Sequence, residues 1–267
     1  MDPFKQYQAL ATAIKQAGLR AQVIRRSGLL VTVKGRQDFV SQADVFVENA
    51  LKEVIFSLYP EDSILGEESG LTSTTVDSGA GINGGVWVID PIDGTTNYLQ
   101  GMDYWCISVA YVVNNVMQLG FVYAPDKDEF FFAKRGQGAY LNGVRLNIKE
   151  PEDGQAIIGL GRSGRRPMQE YLDSLQILDQ HDVEYRRFGA GALMLAHVSS
   201  GQVHGYFESH LNSWDALAGL LLIQEAGGRV PEFLANNGVL NGNPVWSASP
   251  ELWLKLKEPL DALVKSY

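Results

Sequence analysis

The apolar run Val86 to Ile89 ends in two carboxylates, Asp90 and Asp93, within Trp87-Val-Ile-Asp-Pro-Ile-Asp-Gly-Thr-Thr-Asn97. No other stretch restricts the fold as strongly. The apolar run reads as a buried strand. Pro91 fixes its own φ and lacks an amide donor, so the spacing predicts a turn here rather than a continued ladder. That turn is expected to aim both carboxylates, with the Ile92 carbonyl, at one point. Oxygen ligands of this kind suit a hard divalent cation such as Mg²⁺. Gly94 lets a ligand come close to the backbone, and a helix opening near Thr95 would offer its first amides to a phosphate. Taken alone, Asp-Pro and Asp-Gly are also ordinary turn dipeptides, so the metal reading needs partners elsewhere.

Two distant segments supply them. Ile64-Leu-Gly-Glu67-Glu68-Ser69 is again a short apolar run, a glycine and paired acids. Trp214-Asp215-Ala-Leu-Ala-Gly219 opens an apolar helical segment that reaches Glu225. Glu67 and Glu68 also fit a solvated loop, and Asp215 also fits a helix N-cap. Three such acids, each at the end of an apolar element, favour a shared site.

At these residues the chain resembles the inositol monophosphatase family of Mg²⁺-dependent, lithium-sensitive phosphatases. The resemblance rests on Asp90-Pro-Ile-Asp-Gly-Thr-Thr-Asn97, on Trp214-Asp215 with Ala218-Gly219 and Glu225-Ala-Gly-Gly228, and on Gly66-Glu-Glu-Ser69. It runs from about Lys34 to Val230 and is strongest to the bacterial extragenic-suppressor type of inositol-1-monophosphatase. It implies an α/β (α+β) chain folded as the layered α/β/α/β/α sandwich of the inositol monophosphatase and fructose-1,6-bisphosphatase type. Residues 1–150 would form an N-terminal lobe with Glu67, Asp90 and Asp93, and 151–267 a C-terminal lobe with Asp215 and the substrate loop, within one continuous family domain.

The resemblance also implies roles. Glu67, Asp90 and the Ile92 carbonyl would hold one Mg²⁺. Asp90, Asp93 and Asp215 would hold a second, with Asp90 bridging, and Glu67 would reach a third, water-rich ion. A metal-bound water would be oriented by Thr95 and Asp44, with Glu67 taking its proton. Asp44 equally suits the first turn of a helix, where an acid favours the dipole. The amides of Gly94 and Thr95 would bind the phosphate. Substrate contacts would come from Asp93, from Gly191 in the turn Phe188-Gly-Ala-Gly-Ala192, and from Glu208, seven residues before Asp215. Gly191 departs from the alanine of many members. A second departure is Gly161-Arg-Ser-Gly-Arg-Arg166, where animal members have a shorter serine-centred turn; its arginines suit an anionic substrate or acids across a dimer interface.

The implied activity is a phosphomonoesterase acting on a small polyol phosphate, with myo-inositol 1-phosphate first. Histidinol phosphate, fructose 1,6-bisphosphate and a 3′-phosphonucleotide are rivals within the same chemistry. A regulatory protein that binds the transcription machinery is the alternative from another class. A homodimer is implied as well.

Composition narrows the field. A formal net charge of −9 argues against general nucleic-acid binding. No apolar run approaches the ~18–20 residues of a membrane span, and Met1-Asp-Pro-Phe-Lys-Gln lacks a secretory pattern. Cys106 is the only cysteine, in an apolar strand-like run, and reads as a core residue. A cytoplasmic protein is expected.

Periodicity predicts helices over 4–25 and 42–58, with Leu19, Val45 and Leu58 among the inward positions. Strands are expected over 29–33, 105–113, 116–124 and 129–133, with a hairpin over 136–148. The stretch 70–85 reads as a loop or hairpin tip. From 151 onward strands alternate with helices at 168–180, 190–199, 214–225 and 250–265, which suggests two sheets layered with helices.

Overall fold

The computed structural model describes residues 5–28, 31–35, 38–72, 84–152 and 155–267. In chain order, α1 (Gln8–Ser27) leads through β1 (Val31–Gly35) and β2 (Asp38–Ser41) to α2 (Gln42–Leu58). Next come β3 (Ser63–Gly66), β4 (Gly70–Thr72), β5 (Gly85–Asp93) and the short helix α3 (Thr95–Leu99). A meander follows: β6 (Cys106–Val113), β7 (Val116–Ala124), β8 (Glu129–Lys134), β9 (Gly138–Leu141) and β10 (Val144–Arg145). The remainder alternates, as β11 (Ile157–Leu160), α4 (Met168–Gln180), β12 (Glu184–Arg186), α5 (Gly191–Ser200), β13 (Gly205–Leu211) and α6 (Ser213–Glu225). Last come α7 (Gly238–Asn241), β14 (Asn243–Ala248) and α8 (Pro250–Ser266). Of the expected strand 29–33, residues 29–30 lie outside the described residues. So do residues 73–83 of the expected loop 70–85, while its start, Gly70–Thr72, is paired to β3.

Two sheets organise the chain. The larger has the order β10-β9-β8-β7-β6-β5-β3-β4 and is antiparallel except where β3 runs beside β5. The smaller, β12-β11-β13-β14, is parallel across its first three strands and antiparallel at β14. The layering follows from which residues share a core. Trp87 and Ile89 of β5 pack with Leu10 and Ile14 of α1 and Leu51 and Ile55 of α2. Val86 and Val88 face the other way, toward Leu193 of α5 and Leu217 and Leu221 of α6. Alternation with a period of two thus gives this strand two buried faces. Helices α5 and α6 lie between the sheets, sharing that core with Tyr206 and Val245 of the smaller one. The outer face of the smaller sheet is covered by Leu178 of α4 and Leu252, Leu256 and Leu260 of α8. This is the α/β/α/β/α sandwich.

The two N-terminal helices bury narrower stripes than their apolar content suggests. Ala43, Val47, Leu51 and Ile55 recur every four residues and are fully buried, whereas Val45 is 49% and Leu58 45% exposed. Val45 lies about 200° round the helix from Ala43, which puts it on the solvent side. Leu19, at 53% exposure, is likewise off the Leu10, Ile14, Ala17, Ala21 stripe of α1. At the other end of α2's first turn, Ser41 Oγ accepts the Ala43 amide while Asp44 Oδ2 accepts the Ser41 amide at 2.8 Å. That reciprocal cap stabilises the helix start by about 1 kcal/mol.

Pro91 does not end the strand. β5 continues to Asp93, with Asp90 opposite Ser108 and Asp93 opposite Cys106. Three steps along β5 match two along β6, so one extra residue is accommodated as a bulge. The missing proline amide falls inside the bulge, where the ladder is already interrupted.

Among the described residues no helix is long and apolar enough to cross a membrane.

Candidate active site

The bulge explains how Asp90 and Asp93 meet. Positions three apart in a regular strand face opposite sides. One added residue returns them to the same side. Asp215 joins them from the first turn of α6, where Asn212, not Asp215, occupies the N-cap position. Ser108, the cross-strand neighbour of Asp90, donates to the Trp214 carbonyl at 2.8 Å and so fastens the start of α6 to this part of the sheet. Carboxylate oxygens of Asp90, Asp93 and Asp215 all lie within 4.8 Å of one another. Asp90 and Asp93 are buried, and Asp215 is partly exposed.

Glu67 extends this group at the end of β3. Its amide donates to the Ile89 carbonyl at 3.0 Å, and its carboxyl hydrogen-bonds to that of Asp90. No lysine or arginine among the described residues pairs with any of the four acids. Burial first, and then neighbouring carboxylates, raises Asp90 and Glu67 well above the usual range. Asp215 is pushed to about 8 by burial and then by Asp93. Asp93 rises to about 6 because burial outweighs the hydrogen bonds it receives. Acids held in this way lack a cation. A hard divalent ion with oxygen ligands meets that need, and the donor set fits Mg²⁺. Cys106 is no competing soft ligand. Burial and Asp93 hold its thiol protonated, and it donates to Asp93 Oδ2 at 3.5 Å.

The other residues named from the sequence are placed as follows. The Ile92 amide donates to Asp90 Oδ1 at 2.9 Å, and the Ile92 carbonyl accepts the Thr95 hydroxyl at 3.0 Å. Gly94 has φ +85°, a backbone that disfavours side chains. A Cβ there would also lie 2.9 Å from that of Ala190 and 3.0 Å from the Tyr104 carbonyl. The helix that follows is a single turn. Asp93 spans the two halves of the fold, accepting the amides of Gly191 at 3.0 Å and Leu193 at 3.1 Å at the start of α5. Asn97 adds a second tie, donating to the carbonyls of Tyr104 and Phe188, each at 2.7 Å.

Asp44 lies beside Glu67, close enough for its charge to act on it, while its Oδ2 is committed to Ser41. Its Oδ1 is buried without a partner. Burial raises this carboxyl to about 6, opposed by the Ser41 hydrogen bonds. The helix-start role is therefore observed, and one free acceptor remains.

Glu208, Gly191 and Asp215 line one cavity of about 200 Å³ with Gly161, Arg162, Arg187 and Tyr206. Tyr206 donates to Glu208 Oε2 at 2.6 Å. Burial pushes Glu208 to about 7 against the lowering effects of Tyr206 and Arg187. Gly161 makes room for this pair, since a Cβ there would sit 2.0 Å from Glu208 Oε2. Tyr206 was not anticipated from the sequence, although residues two apart on β13 share a face. Arg187 carried no local signal at all.

A layered α+β sandwich with a buried, oxygen-only acid cluster between its sheets defines a class of metal-dependent protein. The sequence pattern of the inositol monophosphatase family matches residues 5–261. The chain is 35% identical over 263 residues to "Nus factor SuhB" of Haemophilus influenzae, covering 95% of each. The crystal structure of the extragenic suppressor protein SuhB from Bartonella henselae superposes with a TM-score of 0.85 at 30% identity, over 95% of this chain and 97% of that one. An IMPase of Thermotoga maritima gives 0.80 at 25% identity, over 100% and 99%. The chain belongs to the inositol monophosphatase family. Membership and fold support phosphatase activity.

Proposed function

We propose that the protein is a Mg²⁺-dependent phosphomonoesterase that hydrolyses a small polyol phosphate, with myo-inositol 1-phosphate as the first candidate. The carrying observation is the meeting of Asp90, Asp93 and Asp215 within 4.8 Å, with no protein cation among the described residues to balance them. In this reading Asp90, Asp93, Asp215, Glu67 and the Ile92 carbonyl hold the ions. When bound, Mg²⁺ supplies Lewis acidity toward the phosphoryl oxygens and lowers the pKa of water.

The chain's own groups then position and move protons. The Thr95 hydroxyl gives its hydrogen to Ile92, which leaves its lone pairs to accept one from a water. Glu67 is the acceptor for the proton that this water loses. Attack joins the water oxygen to phosphorus as the ester P–O bond breaks; the leaving oxygen takes a proton from solvent to become the alcohol, Glu67 returns its proton to solvent, and inorganic phosphate remains. The amides of Gly94 and Thr95 face the phosphate in this scheme. Glu208 Oε1, not engaged by Tyr206, accepts a polyol hydroxyl, while the Gly191 backbone borders the same cavity. Asp44 contributes through its free Oδ1. Two or three ions, lithium inhibition, a homodimer and a cytoplasmic setting belong to the same reading.

Phosphate release from myo-inositol 1-phosphate, measured with Mg²⁺, with EDTA and with added Li⁺, tests it. Turnover that needs Mg²⁺ and falls with Li⁺ is expected. No release from any polyol phosphate would overturn the reading. A second reading rests on the names of the relatives. Proteins called Nus factors are 35% identical across 95% of the chain, which supports a partner in the transcription machinery. Co-purification with RNA polymerase, unchanged when Asp90 is altered, would favour it.

A further inference from the structure

The cavity beside the acid cluster has one wall with little packing of its own. Arg187, Gly189, Ala190 and Gly191 line it, and the last three carry no side chain larger than a methyl group. Gly189 has φ +76°, so the wall bends at a residue with wide backbone freedom. Such a segment keeps its shape only if something outside holds it. Phe188, which does not line the cavity, is where it is held. Its ring lies 4.6 Å from that of Tyr104, centroid to centroid. Its carbonyl accepts from Asn97, which also holds the Tyr104 carbonyl. Tyr104 thus supports the wall through both its ring and its backbone.

Tyr104 is itself fixed by a chain of hydrogen bonds that no step of the proposed reaction uses. Its hydroxyl meets His197 Nδ1 at 2.9 Å, and His197 Nε2 meets Glu129 Oε2 at 2.9 Å. Tyr104 and His197 are 9% and 5% exposed, whereas the Glu129 side chain, at 21%, reaches the surface. The phenol donates to Nδ1, which leaves the hydrogen of the neutral ring on Nε2 for the carboxylate. Each link then pairs one donor with one acceptor. The three residues come from the segment before β6, from α5 and from the start of β8. Helix α5 is also the one whose first amides meet Asp93.

An acid, an imidazole and a hydroxyl in series is also the order of a nucleophilic triad. Here the hydroxyl is unsuited to attack. Tyr104 does not line the cavity. Burial, followed by the charge of Asp93, raises its phenol far above the usual range and keeps the proton on it. Glu129 stays ionised. Burial alone would raise it, but the His197 hydrogen bond holds it below the usual carboxylate range. We propose that Glu129, His197 and Tyr104 are positioning residues that hold Phe188, and through it the 187–191 wall, in the shape that receives the substrate. The consequence for KM rests on the phosphatase reading, whereas the bracing does not.

Steady-state hydrolysis of myo-inositol 1-phosphate with Mg²⁺ tests the consequence. Tyr104→Phe keeps the ring and loses only the hydroxyl. It should raise KM by roughly three- to tenfold, the worth of one hydrogen bond, with kcat within about twofold of wild type. Glu129→Ala should do the same through two links. Glu129→Gln keeps an acceptor for Nε2 and should retain the wild-type KM, although it removes the same charge. The double variant of Tyr104→Phe with Glu129→Ala should be no worse than Tyr104→Phe alone, since both cut one chain. Amide hydrogen exchange over residues 187–193, read by mass spectrometry, should quicken in Tyr104→Phe. A wild-type KM in Tyr104→Phe, unchanged exchange over 187–193, or KM effects of the two variants that multiply would overturn the proposal while leaving the phosphatase reading intact. If wild type releases no phosphate, that reading falls and exchange alone decides: quickening confined to 187–193 upholds the brace, and none refutes it.

Discussion

Asp126 and the cluster of Asp90, Asp93, Asp215 and Glu67 are wholly or partly buried carboxylates that the chain treats in opposite ways. Asp126, just beyond β7, accepts Gln22 Nε2 at 2.7 Å, the Arg25 guanidinium at 2.8 and 3.0 Å, and Trp105 Nε1 at 2.7 Å. The chain satisfies this acid completely, although burial alone would raise it, and it is held below its usual pKa. Asp90, Asp93, Asp215 and Glu67 receive no cation from the described residues and are held above theirs. The lesson is that an acid paired by its own chain stabilises, while acids left in want of a cation define where something from outside belongs.

The sharpest way to break this contrast is Asp90→Asn. If Asp90 holds metal as proposed, its loss should remove several kcal/mol of transition-state stabilisation, which is about a thousandfold or more in kcat. In EDTA the same change should raise the melting temperature, because it relieves like-charge crowding. Near-normal turnover, or a melting point that drops, would erase the distinction.

Asp126→Ala should do the reverse. It strands the Trp105 donor and unpairs Arg25, at a cost of roughly 3 kcal/mol, and should lower the melting temperature with or without Mg²⁺. Added Mg²⁺ should stabilise wild type and Asp126→Ala alike, through mass action on the folded state, and Asp90→Asn less. An equal Mg²⁺ response from all three would locate the ion elsewhere.

The smallest effect is in pH. The folded-state pKa of Asp126 lies below its usual 3.8, so the unfolded chain binds a proton first as pH falls. Its contribution is present above about that pH and lost below it. The stability gap between wild type and Asp126→Asn should therefore stay constant at neutral pH and shrink under acid titration. A gap that grows on acidification would reverse the assignment.

Much of the site could be read from the chain because its acids follow apolar runs, and those runs fix where strands end. The meander from Cys106 to Arg145 and the alternating elements after Ile157 were legible for the same reason. Other features were not. Val45 and Leu58 are apolar yet exposed, because which stripe of a helix faces inward is decided by the partner surface as well as by composition. The continuation of β5 past Pro91 depends on a register that only β6 supplies. Arg187 and Tyr206 acquire meaning only when β12, β13 and the turn after β11 are brought together. Asp44 shows a different limit, since capping and catalysis ask for the same residue at the same place.

The extra residue between Asp90 and Asp93 carries a consequence for how this chain can vary. It acts as a parity marker. Deleting Pro91 or Ile92 would swing Asp93 to the opposite side of the strand, away from its companions and from the amides of Gly191 and Leu193. Surface connections elsewhere tolerate changes of length, whereas here one residue more or fewer would dismantle the cluster and the seam between the sheets in a single step.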